Sequence, residues 1–275
     1  MGGRDIDQVD LASVVDKAEQ LPWRQRAQVE QIIQTKVFQQ WMKSPFSTWL
    51  LIHWERQPPQ KVGNVSPLST FLASLTRMFR QNSTRFVAAV WFCGEHLGPE
   101  GIGSAPDATA MLASIIDQVL CQHQFDMSAS PLEKGEISPE AWQAGDFSAL
   151  SAVLEWLVRQ LPETVTVVFL VDSVVSYEEG RETLQVLSFL LRLAWDQHLS
   201  LAVKVLFAST PGTNLVRAAF EGHQDSIVNI EVLPQMGWQP SEERMGRELG
   251  NMVSGGRDAF TEWAMRTTRL QNLSS

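Results

Sequence analysis

Thr164-Val165-Thr166-Val167-Val168-Phe169-Leu170-Val171-Asp172 is a run of β-branched and apolar residues closed by one carboxylate. A strand that is apolar without alternation is covered on both faces, which is the condition of a strand in a parallel sheet. Phe86-Val87-Ala88-Ala89-Val90-Trp91-Phe92-Cys93 upstream and Leu201 to Ala208 downstream read the same way, and Trp49-Leu50-Leu51-Ile52-His53-Trp54 supplies the earliest such run. Apolar residues at helical spacing fill the intervals, predicting helices over 69–80, 107–121, 147–161 (stopped by Pro162) and 180–197. Strands alternating with helices pair in parallel through right-handed crossovers, because a tight turn cannot reach a parallel partner. The expected fold is α/β, a doubly wound and mainly parallel sheet with helical N- and C-terminal extensions.

Three segments follow: N-terminal helices over 1–44, the α/β core over 45–235, and a C-terminal helical extension over 236–275. The first carries Leu11, Val14, Val15, Ala18, Val29, Ile32, Ile33, Val37 and Trp41 at helical spacing and reads as two helices broken at Pro22. The last is polar with scattered Met245, Leu249, Met252, Phe260, Trp263 and Met265, and reads as one or two edge helices. Residues 126–145 mix Ser, Pro, Glu and Gly and read as a loop.

At 275 residues the chain supports one sizeable core. A formal charge of -9 argues against wholesale binding to DNA or other nucleic acid and leaves room only for a local basic face. Two cysteines make no disulfide framework, and the N-terminus has no apolar signal core. The expectation is a cytoplasmic protein with no membrane partner.

In a doubly wound sheet, ligands sit beyond the C-terminal ends of the strands. The segments that end there are His53 to Ser66, Cys93 to His96, Asp172 to Glu182 and Ser209 to Asn214. A phosphate-binding loop between the 49–54 strand and the following helix would need glycines and a Lys-Ser/Thr pair, since backbone N–H groups cradle phosphates and the lysine reaches their oxygens. The loop instead reads Glu55-Arg56-Gln57-Pro58-Pro59-Gln60-Lys61-Val62-Gly63-Asn64-Val65-Ser66-Pro67-Leu68, with one glycine and no Gly-Lys-Ser.

The order of elements resembles the NACHT-type P-loop NTPase module of fungal multidomain proteins over about residues 35–235. Phe38-Gln39-Gln40-Trp41-Met42 leads into the first strand, and Phe92-Cys93-Gly94-Glu95-His96 precedes the helix through Met111 to Leu120. Val168-Phe169-Leu170-Val171-Asp172 is similar to a Walker B strand, and Val203 to Thr210 to a sensor strand. Walker A is absent, and the residue after Asp172 is Ser173, where active members often carry an acid. The resemblance implies a P-loop-like, Rossmann-like core that is not an active ATPase and uses no cofactor.

The replacement loop Gly63-Asn64-Val65-Ser66-Pro67-Leu68-Ser69 resembles the Gly-x-Ser-Pro-x-Asn-Ser loop of tRNA-dependent cyclodipeptide synthases, with one extra residue between Gly63 and Ser66. That resemblance, to the fungal arginine-containing type, implies an aminoacyl transferase of secondary metabolism. Ser66 would take an aminoacyl group from aminoacyl-tRNA, Tyr177 with Glu178 or Glu182 would handle protons, and a diketopiperazine would leave. Gly63, Asn64, His53 and Asp172 would then line the substrate site.

Each of these residues also has a plainer reading. Ser66 before Pro67 is a favoured helix N-cap as well as an activatable hydroxyl. Asp172 is either a charge that orients an amine or a metal, or a decayed Walker B carboxylate hydrogen-bonded locally, and Tyr177, the chain's one tyrosine, either shuttles protons or marks an exposed acidic loop tip. His53 is a candidate base or a core histidine. Arg77, Arg80 and Arg85 would make a tRNA phosphate patch beside Ser66 or be solvated surface cations. Cys93, His96, Cys121 and His123 are zinc-type ligands, but their positions on separate elements predict no metal centre. Two functions therefore stand: a cyclodipeptide synthase-like transferase, or a catalytically inactive NACHT-like scaffold for protein–protein interaction.

Overall fold

The computed structural model describes residues 6–97, 108–178, 180–235 and 237–253. The elements are α1 (Ile6–Ala18), α2 (Trp23–Glu30), α3 (Lys36–Lys43), β1 (Thr48–His53), α4 (Pro67–Gln81), β2 (Phe86–Phe92), α5 (Ala108–Gln122), α6 (Pro139–Gln143), α7 (Phe147–Gln160), β3 (Thr166–Asp172), α8 (Arg181–Trp195), β4 (Ala202–Ser209), α9 (Leu215–Ala218) and β5 (Ile227–Asn229). A last helix, α10, runs over 242–253.

The five strands form one sheet in the order β2-β3-β4-β1-β5, every pairing parallel. The α/β doubly wound reading therefore holds. Alternation along the strands divides the apolar side chains between two layers. Val87, Ala89 and Trp91 join Val167, Phe169 and Val171 under α5, α7 and α8, while Ala88, Val90 and Phe92 join Val168 and Leu170 under α1 to α4 and α10. Each fully buried Val, Leu, Ile or Phe contributes about 1.5–3 kcal/mol.

Three features depart from the sequence expectation. The N-terminal stretch holds three α-helices, because a 3₁₀ turn at Gln31–Gln34 ends in extended backbone at Thr35, whose hydroxyl caps α3 by accepting from Phe38 N at 3.2 Å. The expected loop over 126–145 contains α6, started by Ser138 as N-cap and Pro139 at the first helical position. β5 adds a strand that its three residues were too short to announce. Residues 98–107, which include the start of the expected 107–121 helix, and Phe260, Trp263 and Met265 lie outside the described residues.

The edge strand β2 is closed by side chains. Gln118 of α5 accepts from Val90 N at 2.8 Å and donates to Val90 O at 2.8 Å, and Gln122 does the same for Ala88 at 3.0 and 2.9 Å. Two amides thus occupy backbone groups that a sheet edge otherwise leaves open. At the lower end of β4, Lys204 is buried, and its ammonium donates to the carbonyls of Trp41 and Ser44 and to Thr48 Oγ1. It ties the C-terminal turn of α3 to the sheet. α10 is fixed by Met245, Leu249 and Val253 in the second layer and by the Arg244–Glu30 ion pair at 2.5 Å.

Candidate functional site

The upper rim, at the C-terminal ends of β1, β3 and β4, is where the candidate residues converge. The loop after β1 is anchored before it reaches α4: Glu231 accepts from Arg56 N and Gln57 N, each at 2.7 Å, and Gln25 accepts from Gln60 N at 3.0 Å. Val62 and Val65 then exchange both backbone hydrogen bonds, with Gly63 and Asn64 at the tip and Gly63 at φ +59°. The carbonyl of Asn64 lies over Gly94, so close that a Cβ on Gly94 would stand 2.7 Å from that oxygen. Only glycine permits this approach.

Ser66 caps α4 in a reciprocal box. Its Oγ accepts from Ser69 N at 3.2 Å, while Ser69 Oγ accepts from Ser66 N at 2.9 Å. Pro67 follows at the first helical position. A helix N-terminus binds anions through free N–H groups. Here one is consumed by the cap and another is absent because the residue is proline.

The Ser69 hydroxyl continues inward and donates to Asp172 Oδ2 at 2.6 Å, and Ser173 Oγ donates to the same oxygen at 3.2 Å. Ser173 holds φ 53°, a left-handed conformation unusual for a residue with a side chain. Ser66, Ser69 and Asp172 are all buried, at 0%, 1% and 2% exposure. Burial pushes the Asp172 carboxyl up to about 6, against the opposing pull of the Ser69 and Ser173 hydroxyls and the charge of Lys61. Burial, followed by the charge of Asp172, also drives the Cys93 thiol well above its ordinary value.

The other expected partners of Ser66 are elsewhere. Tyr177 is fully buried, not an exposed loop tip, and lies in the α5/α7/α8 layer, where its hydroxyl accepts from Trp91 Nε1 at 3.2 Å. Asp172 is bonded to Ser69 of α4, beside Ser66, whereas Tyr177 packs in the opposite apolar layer. The carboxylate of Glu178 accepts from Asn214 N at 2.7 Å, Leu215 N at 3.1 Å and Val216 N at 2.9 Å, and so caps α9. Glu182 is exposed in the first turn of α8. The expected pairing of Tyr177 with Glu178 or Glu182 is not assembled: Tyr177 is engaged by Trp91, Glu178 by the start of α9, and Glu182 is exposed.

The arginine patch is also undone. Arg80 pairs with Asp7 at 2.7 Å and donates to Gln118 at 2.8 Å, Arg85 donates to Val253 O at 2.5 Å, and Arg77 is exposed. Arg80 stands fourteen positions along α4 from its Ser66 cap, or about 20 Å. His53 is buried at the end of β1, and burial, with the charge of Arg217, holds it below its ordinary value against the charges of Glu55 and Glu231. Its surroundings are structural: Glu55 accepts from Arg217 at 3.2 Å and from Asn229 at 2.7 Å.

Of the zinc-type residues, Cys93 is buried and Cys121 exposed, and His96 stacks on Trp91 at 3.7 Å and pairs with Asp10 at 2.7 Å. Among the described residues no group of three or more His, Cys, Asp or Glu side chains could hold a metal ion, and no helix is long and apolar enough to cross a membrane. The rim residues that sequence reading passed over are Ser69, Lys61 and the Asn64–Gly94 contact. Only Ser69 carried a signal, its spacing of three from Ser66. No protein-family model and no curated protein matches the chain.

Proposed function

We propose that the chain is a nucleotide-free, NACHT-like α/β scaffold that works by binding other proteins. One observation carries this reading: the Ser69 hydroxyl is bonded to Asp172 at 2.6 Å, so the carboxylate at the rim is engaged by the protein's own side chain. The capped helix and the Asn64 carbonyl lying on Gly94 support it, since both close the loop over its own backbone. A sheet that keeps its architecture while its ligand groups satisfy each other is suited to display a surface.

Calorimetric titration with Mg-ATP and Mg-GTP tests the nucleotide half, with affinities no tighter than about 1 mM expected where the lysine and glycine amides are missing. Micromolar affinity overturns it. Cross-linking of the tagged chain in its source cells, followed by mass spectrometry, tests the binding half. Recurrent protein partners that persist with Ser66→Ala are expected.

The aminoacyl-transferase reading is kept as a second proposal because Ser66 Oγ lies 3.1 Å from Ser69 Oγ, which in turn meets Asp172. That chain could draw a proton from Ser66 toward a carboxylate raised to about 6. It requires the buried cap to open to an aminoacyl-tRNA. A diketopiperazine in extracts of expressing cells, lost with Ser66→Ala, would replace the scaffold reading with this one.

A further inference from the structure

A large cavity among the described residues lies at the opposite end of the sheet from the rim. It measures about 780 Å³, within the range of small-molecule sites. The α3–β1 connection, the start of β1, the C-terminal end of α8 and the connection into β4 build it, so it shares no residue with the Ser66–Asp172 cluster. Its aromatic lining is Phe46, Trp49, Trp195 and His223. Trp49 is the hinge of this set, meeting Trp195 edge to face at 5.6 Å and His223 at 5.5 Å. Phe46 and Trp195 are 58% and 46% exposed.

The charged lining is one-sided. Glu163 and Asp196 border the cavity, and among the described residues no lysine or arginine does. Asp196 is already engaged by Arg159 at 2.6 Å, whereas Glu163 is exposed and has no ion-pair partner among the described residues. Aromatic faces beside an unpaired carboxylate recognise a cation that carries an apolar body. The rings attract the charge through their quadrupoles and the carboxylate adds direct attraction. An anionic ligand would meet two carboxylates, and a neutral one would leave Glu163 unused.

We propose that this cavity is a binding site for a small organic cation, an aryl- or alkyl-ammonium whose apolar part packs on Trp195 and Phe46 and whose charge faces Glu163. The proposal stands apart from either reading of the rim. Calorimetric titration of the full chain with phenethylammonium, and with 2-phenylethanol as its neutral counterpart, tests it. The ammonium is expected to bind saturably and about fivefold tighter than the alcohol. Glu163→Gln should reduce that preference to what the rings alone supply and leave alcohol binding unchanged. Trp195→Ala and, as a change at an exposed position, Phe46→Ser should each weaken both ligands about fivefold or more. Absence of saturable ammonium binding up to about 10 mM, a free energy too small for a built site, overturns the proposal. So does binding that Glu163→Gln and Phe46→Ser both leave unaltered.

Discussion

The hydroxyl of Ser69 donates to Oδ2 of Asp172 across 2.6 Å, joining the first turn of α4 to the last residue of β3 over 103 positions of sequence. The carboxylate at the mouth of the sheet is therefore answered by the protein itself. Its burial raises it to about 6 from an ordinary 3.8, so between those pH values the folded chain holds a proton that the unfolded chain has released. The resulting stabilisation is complete below pH 3.8 and is lost as pH rises through about 6. Asp172→Asn should abolish this dependence. The difference in unfolding free energy between the native sequence and the variant, followed by urea titration from pH 4 to 7, should change by about 3 kcal/mol. A flat difference would mean that Asp172 titrates normally.

Lys204 gives the opposite slope. Burial lowers its ammonium to about 7 from an ordinary 10.5, with carbonyl and hydroxyl oxygens as acceptors and the Trp41 ring 5.6 Å below. Between these values the unfolded chain binds the proton that the folded chain lacks, so stability rises with pH from about 7 toward 10.5. The slope approaches about 1.4 kcal/mol per pH unit. Lys204→Met should lose that rise, and matched urea titrations at pH 7 and 9 would detect it. Parallel curves for the two proteins would place the titration elsewhere.

The closed edge of β2 makes a third prediction. Gln118→Ala strands the N–H and C=O of Val90 and removes an acceptor from Arg80. Two orphaned backbone groups should cost about 2–4 kcal/mol, and the opened edge should promote self-association. Denaturant unfolding with light scattering at two concentrations checks both effects. A loss under about 0.5 kcal/mol would show that water replaces the amide without penalty.

These cases also mark how far the sequence could be read. The strands from Trp49, Phe86, Thr166 and Ala202 were legible because burial on both faces writes itself as an unbroken apolar run. β5 was not, since Ile227-Val228-Asn229 gains its pairing from β1, a partner far away in the chain. Asp172 and the loop of Ser66 were placed on one rim by topology, but Tyr177 was misplaced. Its acidic neighbours suggested solvent, while the bond from Trp91 and the cap made by Glu178 bury that segment. Gln118 and Lys204 are polar residues within apolar elements, and only tertiary contacts give them their partners.

Ser66→Ala separates the two readings of the rim most directly. The substitution removes the acceptor of Ser69 N and frees Ser69 Oγ from its neighbour, but it leaves Pro67 and the Ser69–Asp172 bond in place. Loss of a cap costs about 0.5–2 kcal/mol, so the variant should fold and melt only slightly earlier. Ser69→Ala should cost more, because it removes the other half of the box and also leaves the buried Asp172 without its shortest hydrogen bond. The double variant should lose less than the sum of the two, since each serine supports the same box. A scaffold keeps its partners through Ser66→Ala. A transferase loses its product while staying folded, and intact-mass measurement after incubation with aminoacyl-tRNA would show an adduct on the native chain that the variant lacks. Additive stability losses, with neither product nor partner affected, would reduce Ser66 to an isolated cap and remove it from both functions.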